Sequence, residues 1–164
     1  MKISILYFSQ TGKTREMAEE IARGMRSREG VEVGVFDLEQ ADAAFVNDSK
    51  AVVLGSPVWV ANMAWPVKKW LDEAGKQGFR LGGKIGAAFA TANFIHGGTE
   101  TTLQTILSHL MVHGALAYSG GASLGQPFIH FGPVAVKDHF EDAKPLFFTF
   151  GQRIADKTLE LFRG

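Results

Sequence analysis

At 164 residues the chain is the size of one folded domain, and a hydrophobic content of 46% supplies a core for it. Lys plus Arg and Asp plus Glu both total 17, so no net field draws the chain to nucleic acid or an anionic membrane, and neither is expected as a partner. There is no cysteine, which excludes disulfides, thiolate metal sites and a thiol nucleophile and fits a reducing cytoplasm. The apolar opening at residues 3–8 is short for a signal peptide, and no stretch approaches the roughly 20 apolar residues that cross a bilayer.

Strand-like and helix-like runs alternate in chain order. Residues 3–8 are near-continuously apolar, as a strand buried on both faces requires. After the polar residues 9–14, Met17, Ala18, Ile21, Ala22 and Met25 recur at helical spacing. Residues 31–36 predict a second, more polar strand, and 39–46 a short weak helix. Residues 51–54 predict a third strand that stops at Gly55-Ser56-Pro57, followed by a helix over 63–74 with Pro66 in its first turn. Residues 84–91 form the fourth predicted strand. A helix from Thr99 follows, with Leu103, Ile106, Leu107, Leu110 and Met111 on one face, then a short fifth strand at 115–118. The last helix is predicted over 142–162, with Leu146 to Phe150, Ile154 and Leu161 on its buried face.

Such alternation predicts an α/β fold: a three-layer sandwich with a five-stranded parallel sheet, order 2-1-3-4-5, and helices on both faces. Residues 1–164 are expected to form one domain. Ligands on such sheets sit beyond the carboxyl ends of the strands, where the strand order reverses between the first and third.

The strongest chemical signal lies there. Ser9, Gln10, Thr11, Gly12, Lys13 and Thr14 join a buried strand to an amphipathic helix. The first amides of a helix lack internal acceptors, and its dipole adds positive potential. Three hydroxyls and a glycine that lets the backbone curl can surround a phosphate monoester without a cationic side chain. A Walker A loop is excluded because Tyr7 stands where its first glycine belongs, and G-x-G-x-x-G is absent. Helix capping by Ser and Thr is the competing reading.

Ser9, Thr11, Gly12 and Thr14 resemble the Thr/Ser-x-Thr-Gly-x-Thr phosphate loop of flavodoxins. Residues 55–63, GSPVWVANM, resemble the Gly-Thr-Pro-x-x-x-Gly-Asn-Met segment of the tryptophan-repressor-binding-protein type of NAD(P)H:quinone oxidoreductase. Leu71-Asp72, Gly83-Lys84, residues 91–100 and His113-Gly114 extend that likeness. The resemblance implies FMN held by three loops. Residues 9–14 take the phosphate; Pro57, Val58, Trp59, Val60, Ala61 and Asn62 line one side of the flavin. Thr91, Ala92, Asn93, Phe94, His96, Gly97 and Gly98 meet its other edge. A planar aromatic with a polar rim needs apolar walls, for which Trp59 and Phe94 are the candidates, whereas Trp65 and Trp70 are read as packing residues.

The chain departs from the quinone reductases at Ala61 and in the bulkier third loop. Flavodoxins flip a peptide beside the ring, usually at a glycine; residues 58–61 contain none, so the flip is expected to be hindered and the one-electron state poorly stabilised. Electron-carrier flavodoxins are generally acidic and this chain is neutral. The favoured expectation is therefore an NAD(P)H-dependent reductase of quinone-like acceptors, with an electron carrier serving a redox protein as the alternative and a flavin-free binding module as a third. His113 is the candidate catalytic residue: the resemblance implies a histidine near the flavin, contributed by a neighbouring subunit of a homo-oligomer. A histidine closing the helix on a carbonyl is the competing reading. His109 and His113 lack a third partner for a metal site, and none is expected.

Overall fold

A computed structural model describes residues 1–163. Five parallel positions run β2 (Glu32–Asp37), β1 (Lys2–Tyr7), β3 (Ala51–Trp59), β5 (Ile85–Ala92) and β6 (Leu116–Ala117). This is the expected 2-1-3-4-5 order, with two additions. A two-residue strand β4 (Asn62–Met63) returns antiparallel along the end of β3, and β7 (Val134–Val136) pairs with β5 beyond β6. The fifth position is thus shared by two short strands, where one run at 115–118 was expected.

The helices are α1 (Lys13–Arg26), α2 (Ala43–Asp48), α3 (Trp65–Glu73), α4 (Thr99–Val112) and α5 (Phe140–Phe162), with a tight turn at Leu38–Gln40 before α2. Alternation along the strands sorts two cores: Ile3, Ile5 and Phe89 face α1 and α5, while Leu6, Leu54 and Ala88 face α3 and α4. The first of these is closed by an unusually near approach of two helices. A side chain at Gly24 of α1 would strike the Phe148 carbonyl, and one at Gly151 of α5 the Ile21 carbonyl, at 2.0 and 2.1 Å. Gly55 within β3 leaves room for the Phe89 ring, which meets Phe147 edge-on at 5.9 Å. Phe147, Phe150 and Ile154 are buried as expected, but Leu161 lies outside the core, 53% exposed.

Two predicted boundaries moved for physical reasons. The third strand does not stop at Gly55-Ser56-Pro57, because parallel pairing with β5 continues through Ser56↔Ala90 and Pro57↔Thr91. The helix predicted from Met63 begins at Trp65, since Met63 is taken up in β4.

Between β6 and β7 the chain wraps around Arg153 of α5. This guanidinium is buried and donates to the carbonyls of Gly121, Leu124, Gly125, Gln126 and Pro127, at 2.8 Å to Pro127. No carboxylate pairs with it among the described residues. No helix there is long and apolar enough to cross a membrane.

Candidate functional site

The carboxyl ends of β1, β3 and β5 carry the three expected loops to one side of the sheet. A cleft of ≈ 310 Å³ opens among them, bounded by Gln10, Thr11, Lys13 and Thr14, by Pro57, Val58 and Trp59, and by Thr91, Ala92 and Asn93.

The first loop is turned by Gly12, which stands before α1 at φ 88, a left-handed conformation that disfavours any residue with a Cβ. Its side-chain space is open, so the glycine serves the backbone path. Among the described residues no acceptor meets the amides of residues 9–14; the amide of Arg15 is the first to find one, donating to Ser9 Oγ at 3.3 Å. Ser and Thr therefore do little capping here. Thr14 is buried and its hydroxyl bonds that of Thr91 at 2.9 Å, which ties the first loop to the end of β5.

The second wall is a hairpin. Val58 pairs with Met63 and Trp59 with Asn62, leaving Val60 and Ala61 as the two turn residues. Both hold positive φ, 48 and 60, where Asn-Gly is the usual occupant and a β-branched residue is strained. Ser56 supports the turn from below: its hydroxyl accepts from the Ala64 amide at 2.9 Å and donates to the Pro57 carbonyl at 2.7 Å. Asn62 uses its side-chain oxygen on the Met63 amide at 2.8 Å. Trp59 is half-buried and meets Phe8 edge-on at 5.4 Å.

The third loop touches the hairpin tip: a Cβ at Gly98, which precedes α4 at φ 99, would lie 2.4 Å from the Ala61 carbonyl. Phe94, His96 and Gly97 border an adjoining groove of ≈ 510 Å³. Phe94 and Ile95 are 74% and 70% exposed and Val60 fully so, giving the cleft an apolar mouth on two sides. Trp70 packs in the core as expected, whereas Trp65 is 64% exposed.

Two cleft residues escaped the sequence reading. Lys137 follows β7 and Phe140 opens α5, and both line the cleft. The alternation in Val134-Ala135-Val136 was the available signal, since it marks a strand whose carboxyl end falls beside the other three. Lys13 lies over the Phe140 ring at 5.1 Å and pairs with Glu16 at 2.7 Å; Lys144 of α5 pairs with the same carboxylate at 3.0 Å. Hydrogen bonds from Lys13 and Lys144 hold the Glu16 pKa below its usual 4.5. The cleft is thus bordered by two lysines and no carboxylate, where a loop without cations was expected to suffice.

His113 is not brought to this site. It follows the last turn of α4, whose 14 residues span about 21 Å, at the opposite end of the sheet. There its Nε2 lies 2.9 Å from the Leu71 carbonyl, and Gly114 accepts from the Gly83 amide before β5. Within one chain His113 lies away from the cleft and ties the end of α4 to a carbonyl of α3.

The fold and cleft define a doubly wound α/β protein with an anion-ready loop at its switch point. A family model described as Flavodoxin matches residues 5–110. A flavodoxin of Clostridium saccharobutylicum is 44% identical over 162 residues, covering 99% of this chain and all of the relative. A protein of Azorhizobium caulinodans named NAD(P)H dehydrogenase (quinone) is 31% identical, covering 84% of this chain and 76% of its own length. Among solved structures, a flavodoxin, WrbA-like protein from Agrobacterium tumefaciens superposes with a TM-score of 0.80 at 20% identity, covering 97% and 98% of the two chains, which shows the shared fold. The chain belongs to the flavodoxin family of FMN proteins.

Proposed function

We propose that the cleft holds FMN and that the protein works as a flavodoxin-type electron carrier. The observation that carries this reading is the run of unpaired amides at residues 9–14, beside the hydroxyls of Ser9 and Thr11. Such a run attracts a doubly negative monoester, and Lys13 and Lys137 add to that attraction. Trp59 and the 91–98 loop then flank the ring, with Pro57, Val58 and Ala92 as apolar wall. The bound flavin supplies one- and two-electron transfer.

The carrier role is favoured over the reductase by the 44%-identical relative, itself named a flavodoxin. Exposed Val60, Phe94 and Ile95 offer a redox-protein partner an apolar contact at the mouth, which a chain of zero net charge needs in place of electrostatic steering. The reductase reading draws support from the 31%-identical quinone dehydrogenase and from the glycine-free hairpin tip.

One experiment tests both levels. Cofactor released from the purified protein is identified by mass, and the loaded protein is then mixed with NAD(P)H and a benzoquinone. FMN without steady NAD(P)H oxidation is the expected result. Steady turnover would put the reductase first, and a colourless protein that refuses FMN would remove the flavin reading altogether.

A further inference from the structure

Two buried hydroxyls meet where the first loop adjoins the sheet. Thr14, on the first turn of α1, is 2% exposed, and Thr91, near the end of β5, is 4% exposed. Their oxygens lie 2.9 Å apart, and both residues border the cleft. Among the described residues neither hydroxyl has another partner. A helical threonine commonly bonds the carbonyl four residues back, but Thr14 stands so early in α1 that this carbonyl, of Gln10, lies outside the helix. Thr91 is firmly placed. Strand alternation puts it on the face of Phe89, toward α1 and α5, and the ladder holds it between Pro57 of β3 and Ala135 of β7.

The pair has two protons and one bond between them. A hydroxyl carries a single proton, so the oxygen that donates across the contact has none left to give elsewhere. The other keeps its proton for the cleft. Among the described residues the amides of residues 9–14 find no acceptor, which makes the start of α1 the place where donors gather for an anion. An anion there favours the arrangement in which Thr91 donates and Thr14 turns its proton outward, because a bond to a charged acceptor is stronger than one between neutral groups. Donation from Thr91 also polarises the Thr14 hydroxyl and makes it the better donor.

We propose that Thr91 is a positioning residue for the phosphate: by donating to Thr14 Oγ1 it aims the Thr14 proton at the anion. The proposal rests on the phosphate-loop reading above. It gives Thr91 a different task from the flavin-edge contact that the family resemblance implies.

Apoprotein is titrated with FMN and with riboflavin, which has the same ring and ribityl chain but no phosphate, by quenching of flavin fluorescence. Thr91→Val keeps the side-chain shape and removes the hydroxyl. It is expected to weaken FMN binding about tenfold and riboflavin binding less than about twofold. Thr91→Ser restores the donor and should hold FMN within about threefold of wild type. Thr14→Val should weaken FMN at least as much as Thr91→Val. Adding Thr91→Val to it should cost less than about twofold more, since a residue that acts through Thr14 then has nothing to act on. Equal losses for FMN and riboflavin would mean direct flavin contact and overturn the positioning role. Unchanged FMN affinity in Thr91→Val, or independent losses in the double variant, would overturn it too. If urea unfolding shows Thr91→Val to be unfolded, Thr91→Ala takes its place against Thr91→Ser. Wild type that binds FMN no more tightly than riboflavin overturns the phosphate-loop reading and the positioning role together.

Discussion

The two ends of the sheet use the same kinds of polar group in opposite ways. At the amino end, Lys84 is buried and its ammonium donates to the carbonyls of Asn47 and Ser49, where α2 runs out. The Ser4 and Ser49 hydroxyls meet at 2.6 Å, and His113 lies against the Leu71 carbonyl. Donors and acceptors there satisfy one another. At the carboxyl end the amides of residues 9–14 meet no protein acceptor, Tyr7 keeps a hydroxyl unpaired, and two turn residues hold strained dihedrals. The amides of residues 9–14 belong mostly to exposed residues at the start of α1, where an anion can take the place of water. One end is finished by the chain, the other by what it binds.

The largest effect should follow from removing donors at the unfinished end. Ser9→Ala with Thr11→Ala deletes two hydroxyl contacts to a charged group, each worth about 1.5–3 kcal/mol, so FMN affinity should fall at least about a hundredfold in a fluorescence titration, with little change in apoprotein stability. The finished end should behave in the reverse manner. Lys84→Met orphans two carbonyls and is expected to cost about 1–3 kcal/mol in urea unfolding of the apoprotein while leaving FMN affinity unchanged. Equal FMN binding by the double variant, or lost binding in Lys84→Met, would break the contrast.

Smaller effects sharpen it. Val60→Gly relieves the positive φ at the hairpin tip and is expected to stabilise the apoprotein by about 1 kcal/mol, read as a rise in Tm of about 2–4 °C. Glu16 provides a pH test. Its folded pKa lies below the usual 4.5, so its contribution is present above that value and is lost as pH falls through the folded pKa. The stability difference between wild type and Glu16→Gln should therefore be visible at pH 7 and fade below about pH 4.5, as measured by unfolding at each pH.

Much of this contrast was legible in the residues. The apolar periodicities located every main helix and the parallel strands in their correct order, because burial on two faces leaves a pattern that local sequence carries. The first loop was legible because its hydroxyls and Gly12 are a chemical pattern in themselves. The hairpin was not: Val60 and Ala61 are poor turn formers, and their conformation is imposed by the pairing of Trp59 with Asn62 and by the packing of Gly98 on Ala61. Lys137 and Phe140 stayed hidden because β7 is three residues long and forms by pairing with β5, a long-range choice. The place of His113 in the fold was hidden for a related reason. The direction of α4 carries it to the end of the sheet opposite its own chain's cleft.

Arg153 has a consequence for how the segment at residues 121–127 can change over time. The guanidinium grips main-chain oxygens alone, so the side chains of Ala122, Ser123, Leu124 and Gln126 can be exchanged without loosening the hold, while positive φ keeps Gly121 and Gly125 as glycines. Lysine, with three donors and no planar fork, cannot serve five oxygens at once. The tolerant side chains of this stretch thus depend on one arginine far along the chain.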